Sequence, residues 1–270
     1  MKTLGSRTAP LVAELYERGR STFTLADVEA ITGLSPGAAR SLVSKAVARG
    51  LMTRLTSGLF ALVPFELGHA THYSPDPYLL AVEAVGHIPY FLSHATAFEL
   101  QRLTTQPNFT IYVSCVKRLK PKIIGGYAYH FVQVLPEELF GTTKHWVSKT
   151  GWVMVSDLER TLVDGLHQPR FAGGIPEVAK GLWMRHKELR FERLVAYALR
   201  LDVGAVVRRL GFLLELYELA PVELLEGLRK HLSATYSRLD PTLPPGGRFL
   251  ARWRLELNVS PEELKAIRFS

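Results

Sequence analysis

STFTLADVEAITGLSPGAARSLVSKAVARGLMTRLTSGLFALV, residues 21 to 63, is the stretch whose reading decides the fold of this chain. Its punctuation predicts two short helices joined by a tight turn and followed by a β-hairpin. Thr24 is placed to cap a first helix whose apolar positions Leu25, Val28, Ala30 and Ile31 share roughly one face, and Gly33 ends it. Ser35 as cap and Pro36 at the first helical position open a second helix, because proline there lacks only a donor that would be unpaired anyway. That helix runs to about Arg49, and Gly50 supplies its stop. Ala39, Leu42, Val43, Ala46 and Val47 form its inner face, toward the first helix and a longer one over about Thr8 to Arg18; Arg40, Ser41, Ser44, Lys45 and Arg49 form the outer face. Leu51 to Leu55 and Leu59 to Val63 alternate as two strands around a turn at Thr56, Ser57 and Gly58.

This order of elements predicts a winged helix-turn-helix, a module whose second helix lies in the major groove of DNA while the hairpin touches phosphate or the minor groove. Arg40 and Ser41, with Ser44 next, are expected at base edges, and Arg40, the only long donor in the reading zone, is suited to a guanine. Ser35 at the helix start belongs to the same DNA-binding set. Lys45, Arg49, Arg54, Thr56 and Ser57 are expected on phosphates, which fix position and give salt-dependent affinity without reading sequence. Residues 1 to 63 carry eight basic and four acidic side chains, and the acids avoid the second helix. The competing reading is a winged helix used for protein contacts alone.

A chain of 270 residues, 47% hydrophobic and 21% charged, is expected to fold into two packed domains. Its net charge of +8 favours a polyanionic partner, nucleic acid ahead of an anionic membrane because no basic amphipathic helix stands out. Cys115 is the only cysteine, which excludes an intramolecular disulfide and a cysteine-rich zinc site and suits a reducing cytoplasm. No apolar run reaches the roughly 18 to 20 residues needed to span a bilayer, and the N-terminus lacks the apolar core of a signal peptide.

PFELGHATHYSPDP, residues 64 to 77, loses all periodicity and holds three prolines. The expected division is therefore a winged helix-turn-helix DNA-binding domain over 1–66, a linker over 67–77 and a larger domain over 78–270. In the latter, strand-like runs at His87 to Leu92, Phe109 to Lys117, Tyr127 to Leu135, Lys144 to Ser148 and Trp152 to Val155 precede a helical series from Asp157 to Leu232. Ala251 to Val259 alternates like a strand returning to the sheet. The fold class read from this pattern is α+β, an N-terminal winged helix-turn-helix followed by a larger mixed α/β C-terminal domain.

Four further stretches, YFLSHATAFELQRLT (90–104), VSDLERTLVDGLHQPRFAGGIPEV (155–178), RRLGFLLELY (208–217) and RWRLELNV (252–259), stand in order behind the winged helix. Together they resemble the AbiEi family of antitoxins from bacterial abortive-infection, type IV toxin–antitoxin systems. The resemblance implies a cytoplasmic, non-enzymatic repressor that binds an inverted repeat in the promoter of its own toxin–antitoxin operon. It also implies a C-terminal domain that counters a cognate nucleotidyltransferase-like toxin, with or without binding it. An inverted repeat would take two copies, one per half-site.

Other clusters compete for attention. Ser156 to Glu159 matches a capping box, and Arg160 and Asp164 sit four apart where they can pair. Asp157, Glu159 and Asp164 would suit a metal-dependent DNA-processing enzyme, yet they spread around a helix. None of the nine histidines forms a metal-spaced pair on one element, so neither metal nor cofactor is expected. Ser93 and His94, as neighbours, are not expected to face each other. Lys117, Arg118, Lys120 and Lys122 crowd one loop, as additional DNA contacts or as a solvated hairpin end. A repressor sensing a small ligand would need a pocket with convergent polar groups.

Overall fold

The structure, a computed structural model, describes residues 5–149 and 151–269. It divides into two compact units, one reaching from the N-terminus to Ala84 and including Pro121–Tyr129, the other comprising Val85–Lys120 and the chain from His130 onward.

In the first unit, α1 (Ala9–Glu17), β1 (Thr22–Thr24), α2 (Leu25–Thr32), α3 (Pro36–Ala48), β2 (Met52–Thr56), β3 (Leu59–Leu62) and α4 (Pro77–Val85) follow one another. α2 starts where the sequence predicts: Thr24 takes the Asp27 N–H on its hydroxyl while the Asp27 carboxylate takes the Thr24 N–H at 2.7 Å. Gly33 ends it at φ +67°, a left-handed geometry that glycine adopts without a Cβ clash. Ser35 stands at the cap position of α3 without a side-chain cap bond, and Pro36 supplies the start. The strands make an antiparallel sheet in the order β1-β3-β2. β1 is an addition to the two expected strands, pairing Thr22, Phe23 and Thr24 with Ala61, Phe60 and Leu59. Leu11, Leu15, Phe23, Val28, Ala39, Val43, Ala46 and Met52 close the core beneath it. Within residues 67–77, the Tyr73 N–H donates to Thr53 Oγ1 and the Ser74 hydroxyl to the Gly125 carbonyl, all inside this unit.

The chain continues with β4 (Tyr90–Leu92), α5 (His94–Leu100), β5 (Thr110–Cys115), β6 (Lys122–Ile124), β7 (Tyr127–Gln133), β8 (Thr142–Trp146) and β9 (Trp152–Ser156). These strands form a mixed sheet in the order β6-β7-β5-β4-β9-β8, with β4 parallel to β9. A strand, β6, thus occupies part of the stretch expected as a basic loop. α6 (Leu158–His167), α7 (Ile175–Arg185), α8 (Phe191–Arg200), α9 (Gly204–Leu216) and α10 (Val222–Arg229) reproduce the expected helical series. Phe212, Leu213, Leu214 and Tyr217 lie in its core.

Two local expectations are corrected. The cap of α6 is Asp157, whose carboxylate accepts the Arg160 N–H at 2.9 Å; Ser156 ends β9, and its hydroxyl lies 2.8 Å from Thr161 Oγ1. The C-terminal run does not rejoin the large sheet. After β10 (Ser237–Arg238) and β11 (Arg248–Leu250), only β12 (Leu255–Leu257) is extended, and it centres a separate sheet ordered β10-β12-β11 ahead of α11 (Pro261–Ala266). Arg254 at φ +51° breaks the run, while Trp253, Leu255 and Leu257 keep the alternating burial that suggested a strand. Among the described residues no helix is long and apolar enough to cross a membrane.

Candidate nucleic-acid interface

α3 is built with two faces. Ala39, Val43 and Ala46 point into the core, so the 3.6-residue period turns Arg40, Ser41, Ser44 and Lys45 outward, and all four are exposed. Arg49 follows as the exposed C-cap. Across from this face stands the β2–β3 hairpin. Between them lies a cleft of about 620 Å³, lined by Leu25, Val43, Val47 and Phe60 at its base and by Arg40, Ser44, Arg54, Ser57 and Gly58 around it.

The hairpin tip has its own local cause. Thr56 pairs with Leu59 after a register shift at Arg54, and Gly58 takes φ +79° to close the turn. Arg54 is exposed, and its Nε reaches the Thr56 carbonyl at 3.4 Å. The charges of the unit are sorted. Arg18 pairs with Glu14 and Arg20 with Asp27, whereas among the described residues Arg40, Lys45 and Arg54 enter no ion pair. Burial pushes the Asp27 carboxyl up, but hydrogen bonds from Arg20 and Thr24 outweigh it and hold the group below its ordinary range. Of the residues singled out in the sequence, the cleft gathers Arg40, Ser44, Arg54 and Ser57; Ser35, Ser41, Lys45, Arg49 and Thr56 lie outside its lining. Leu25 and Phe60, which floor it, carry no polar signal that sequence reasoning could have used.

Of the basic cluster, Lys117, Arg118 and Lys120 are exposed, while Lys122 Nζ donates to the Ala84 carbonyl at 2.8 Å.

The carboxylates of α6 are engaged locally. Asp157 caps the helix and also meets Arg193 and the Tyr197 hydroxyl; burial raises its pKa, against the opposing pull of the Arg160 amide and Arg193. Glu159 accepts the Arg190 N–H at 3.0 Å. Asp164 pairs with Arg160 at 2.8 Å, the expected four-residue partnership, with both side chains buried. Among the described residues no group of three or more His, Cys, Asp or Glu is arranged to hold a metal ion.

Ser93 and His94 do meet, contrary to the expectation for neighbours. His94 takes φ +51°, and its Nδ1 lies 2.9 Å from Ser93 Oγ, which also receives the Ser114 hydroxyl at 2.8 Å. Both residues are buried, and burial pushes the His94 pKa down to about 4. The pair is packed under the rings of Tyr112 and Phe171.

Residues 10–63, from α1 through the hairpin, match a family model described as "Transcriptional regulator, AbiEi antitoxin". Comparison with the curated proteins gave no match. Among solved structures, the crystal structure of the RV2827C protein from Mycobacterium tuberculosis superposes with a TM-score of 0.71 at 16% identity, covering 100% of this chain and 97% of that one. At that identity the likeness is one of fold.

Proposed function

We propose that the first unit is a winged helix-turn-helix and that this chain represses transcription by binding double-stranded DNA, starting from the regulator family matched over residues 10–63. The observation that carries the reading is the cleft between α3 and the hairpin, with Arg40 and Ser44 on one side and Arg54 and Ser57 on the other. A helix in a major groove presents its outward face to base edges while the hairpin tip rests on the adjacent backbone. Arg40 and Ser41, then Ser44, are the proposed base readers. Ser35, Lys45, Arg49, Arg54, Thr56 and Ser57 are the proposed backbone set. Lys117, Arg118 and Lys120 add exposed positive charge, and Lys122 contributes less because its ammonium is taken by Ala84.

The proposed operator is an inverted repeat upstream of the chain's own gene, bound by two copies. The second unit is proposed to counter a cognate nucleotidyltransferase-like toxin, a reading supported by the four ordered stretches outside the matched segment. The structural tasks of Asp157, Glu159 and Asp164 weigh against the alternative of a metal-dependent nuclease.

A mobility shift of the full chain on the DNA upstream of its gene, against a scrambled duplex at physiological salt, tests the regulator. Retardation of the upstream duplex alone is expected; equal affinity for both would sink operator recognition. Rescue of growth when the chain is co-expressed with the neighbouring gene's product tests the antitoxin half separately.

A further inference from the structure

At the start of α9 the chain buries a cation that no carboxylate among the described residues neutralises. Arg208 is 2% exposed, and its Nη2 donates to Ser233 Oγ at 2.7 Å, to the Ser233 carbonyl at 3.3 Å and to Thr235 Oγ1 at 3.2 Å. Its buried Nε has no hydrogen-bond partner among the described residues. Among the described residues no carboxylate pairs with it; burial pushes its pKa down, and Arg254, a second cation, adds to the push. Burying an uncompensated charge is costly, which makes such an arginine a poor structural strut and a good receptor for an anion.

The guanidinium lies over the first turn of its own helix: a Cβ built on Gly204 would fall 2.5 Å from Arg208 Nη1. That 13-residue helix has neither a side-chain cap nor an acidic residue in its first turn. The Val206 and Val207 amides return to the Val203 carbonyl, and the first amides of the helix, those of Gly204 and Ala205, have no carbonyl within it to bond, at its positive end. Ser233 Oγ and Thr235 Oγ1, 2.9 Å apart, both accept from Arg208, and after the bond between them one hydroxyl proton is left to donate. Amides, a fork-shaped guanidinium and a hydroxyl in one place are the chemistry that binds phosphate.

Beside these groups is a stacking surface. Tyr236 follows Thr235 directly, its ring lies 5.6 Å from the Arg254 guanidinium, and it meets Phe249 edge-on at 5.3 Å. Tyr236 is 40% and Phe249 67% exposed. Exposed rings next to a cation offer a face to a nucleobase.

We infer that the start of α9, with Arg208, Ser233, Thr235 and Arg254, binds the phosphate of a nucleotide whose base stacks on the more exposed Phe249 ring, edge-on to Tyr236. The site belongs to the second unit and stands independently of DNA binding by α3. Calorimetric titration of the full chain with inorganic phosphate, adenosine 5′-monophosphate, adenosine and a 5′-phosphorylated DNA single strand tests it. Saturable binding of the monophosphate, about tenfold or more tighter than inorganic phosphate and absent for adenosine, is expected and identifies a free nucleotide. Binding of the phosphorylated strand alone would support the same site with a strand end as the source. Arg254→Ala and Thr235→Ala, changes near the surface, should each weaken the interaction about tenfold, while Arg40→Ala leaves it unchanged. No saturable binding by any phosphate probe, or binding indifferent to Arg254→Ala and Thr235→Ala, would overturn the assignment. Arg208→Met should melt no lower than the native chain in phosphate-free buffer and should lose the ligand; a lower melting point with binding intact would mark Arg208 as structural.

Discussion

Arg40 and Lys45 are both exposed on α3 and both cationic, yet different work is proposed for them. Arg40 presents a fork of donors matched to a guanine edge, so Arg40→Ala is expected to cost about 1–3 kcal/mol on the operator and to relax specificity. Lys45→Ala should weaken every duplex alike and lower the salt slope by about one. Equal, sequence-independent losses for both variants would refute the base-reading role of Arg40. His94 carries a different residue-scale prediction. Its pKa of about 4 lies below the ordinary 6.5, so between these values the unfolded chain binds a proton that the folded chain refuses. Stability is then full above about pH 6.5 and falls as the pH drops toward 4, by about 3 kcal/mol in all. Arg160, Asp164, His130 and His167 also act on the ring; burial lowers both histidines' own pKa values, which adds to the same trend. Urea midpoints at pH 7 and 4.5 should therefore diverge in the native chain and diverge less in His94→Asn, a change that tolerates the left-handed backbone and leaves His130 and His167 in place. Parallel pH slopes in the two proteins would remove His94 as the cause.

Elements repay attention where their ends and neighbours are fixed by single side chains. The Thr24–Asp27 box starts α2, and Thr24→Ala should destabilise the chain by about 1 kcal/mol, read from the denaturant midpoint. α9 packs so closely on Trp253 that a Cβ at Gly211 would fall 2.0 Å from its ring. Gly211→Ala is therefore expected to lower stability by about 1–3 kcal/mol through overpacking, despite alanine's higher helix propensity; a rise in melting temperature would contradict that packing. The helices were legible in the sequence because their apolar periods and caps act over one or two turns. β1 and β6 were not: three-residue strands carry too little alternation, and β1 exists only by pairing with β3, more than thirty residues further along, while β6 pairs across a tight turn with the start of β7 inside a run whose charges read as a loop.

For the whole molecule, the excess of eight positive charges predicts strong ionic control of DNA binding. With two copies each placing several cations on phosphates, affinity should fall about a thousandfold or more between about 50 and 200 mM salt, linearly on logarithmic axes. A mobility-shift series across that range checks it, and a flat response would exclude a phosphate-dominated interface. Sedimentation of the complex should show two chains per inverted repeat; a single chain would exclude the symmetric operator.

The sequence by itself determined what depends on neighbours in the chain: the cap at Thr24, the helix start at Pro36, the stop at Gly33, the exposed face of α3, the Arg160–Asp164 pair and the charge of the N-terminal segment. Tertiary structure alone decided what depends on distant partners. It moved the α6 cap to Asp157 by committing Ser156 to β9, turned the C-terminal run into a sheet of its own, and set Arg54 and Ser57 across a cleft from Arg40 and Ser44. It also buried Arg208 without an anion, at hydroxyls 25 and 27 residues further along the chain. Short-range signals come from backbone geometry and side-chain period, whereas pairing, burial and the neutralisation of charge are settled only when remote segments pack together.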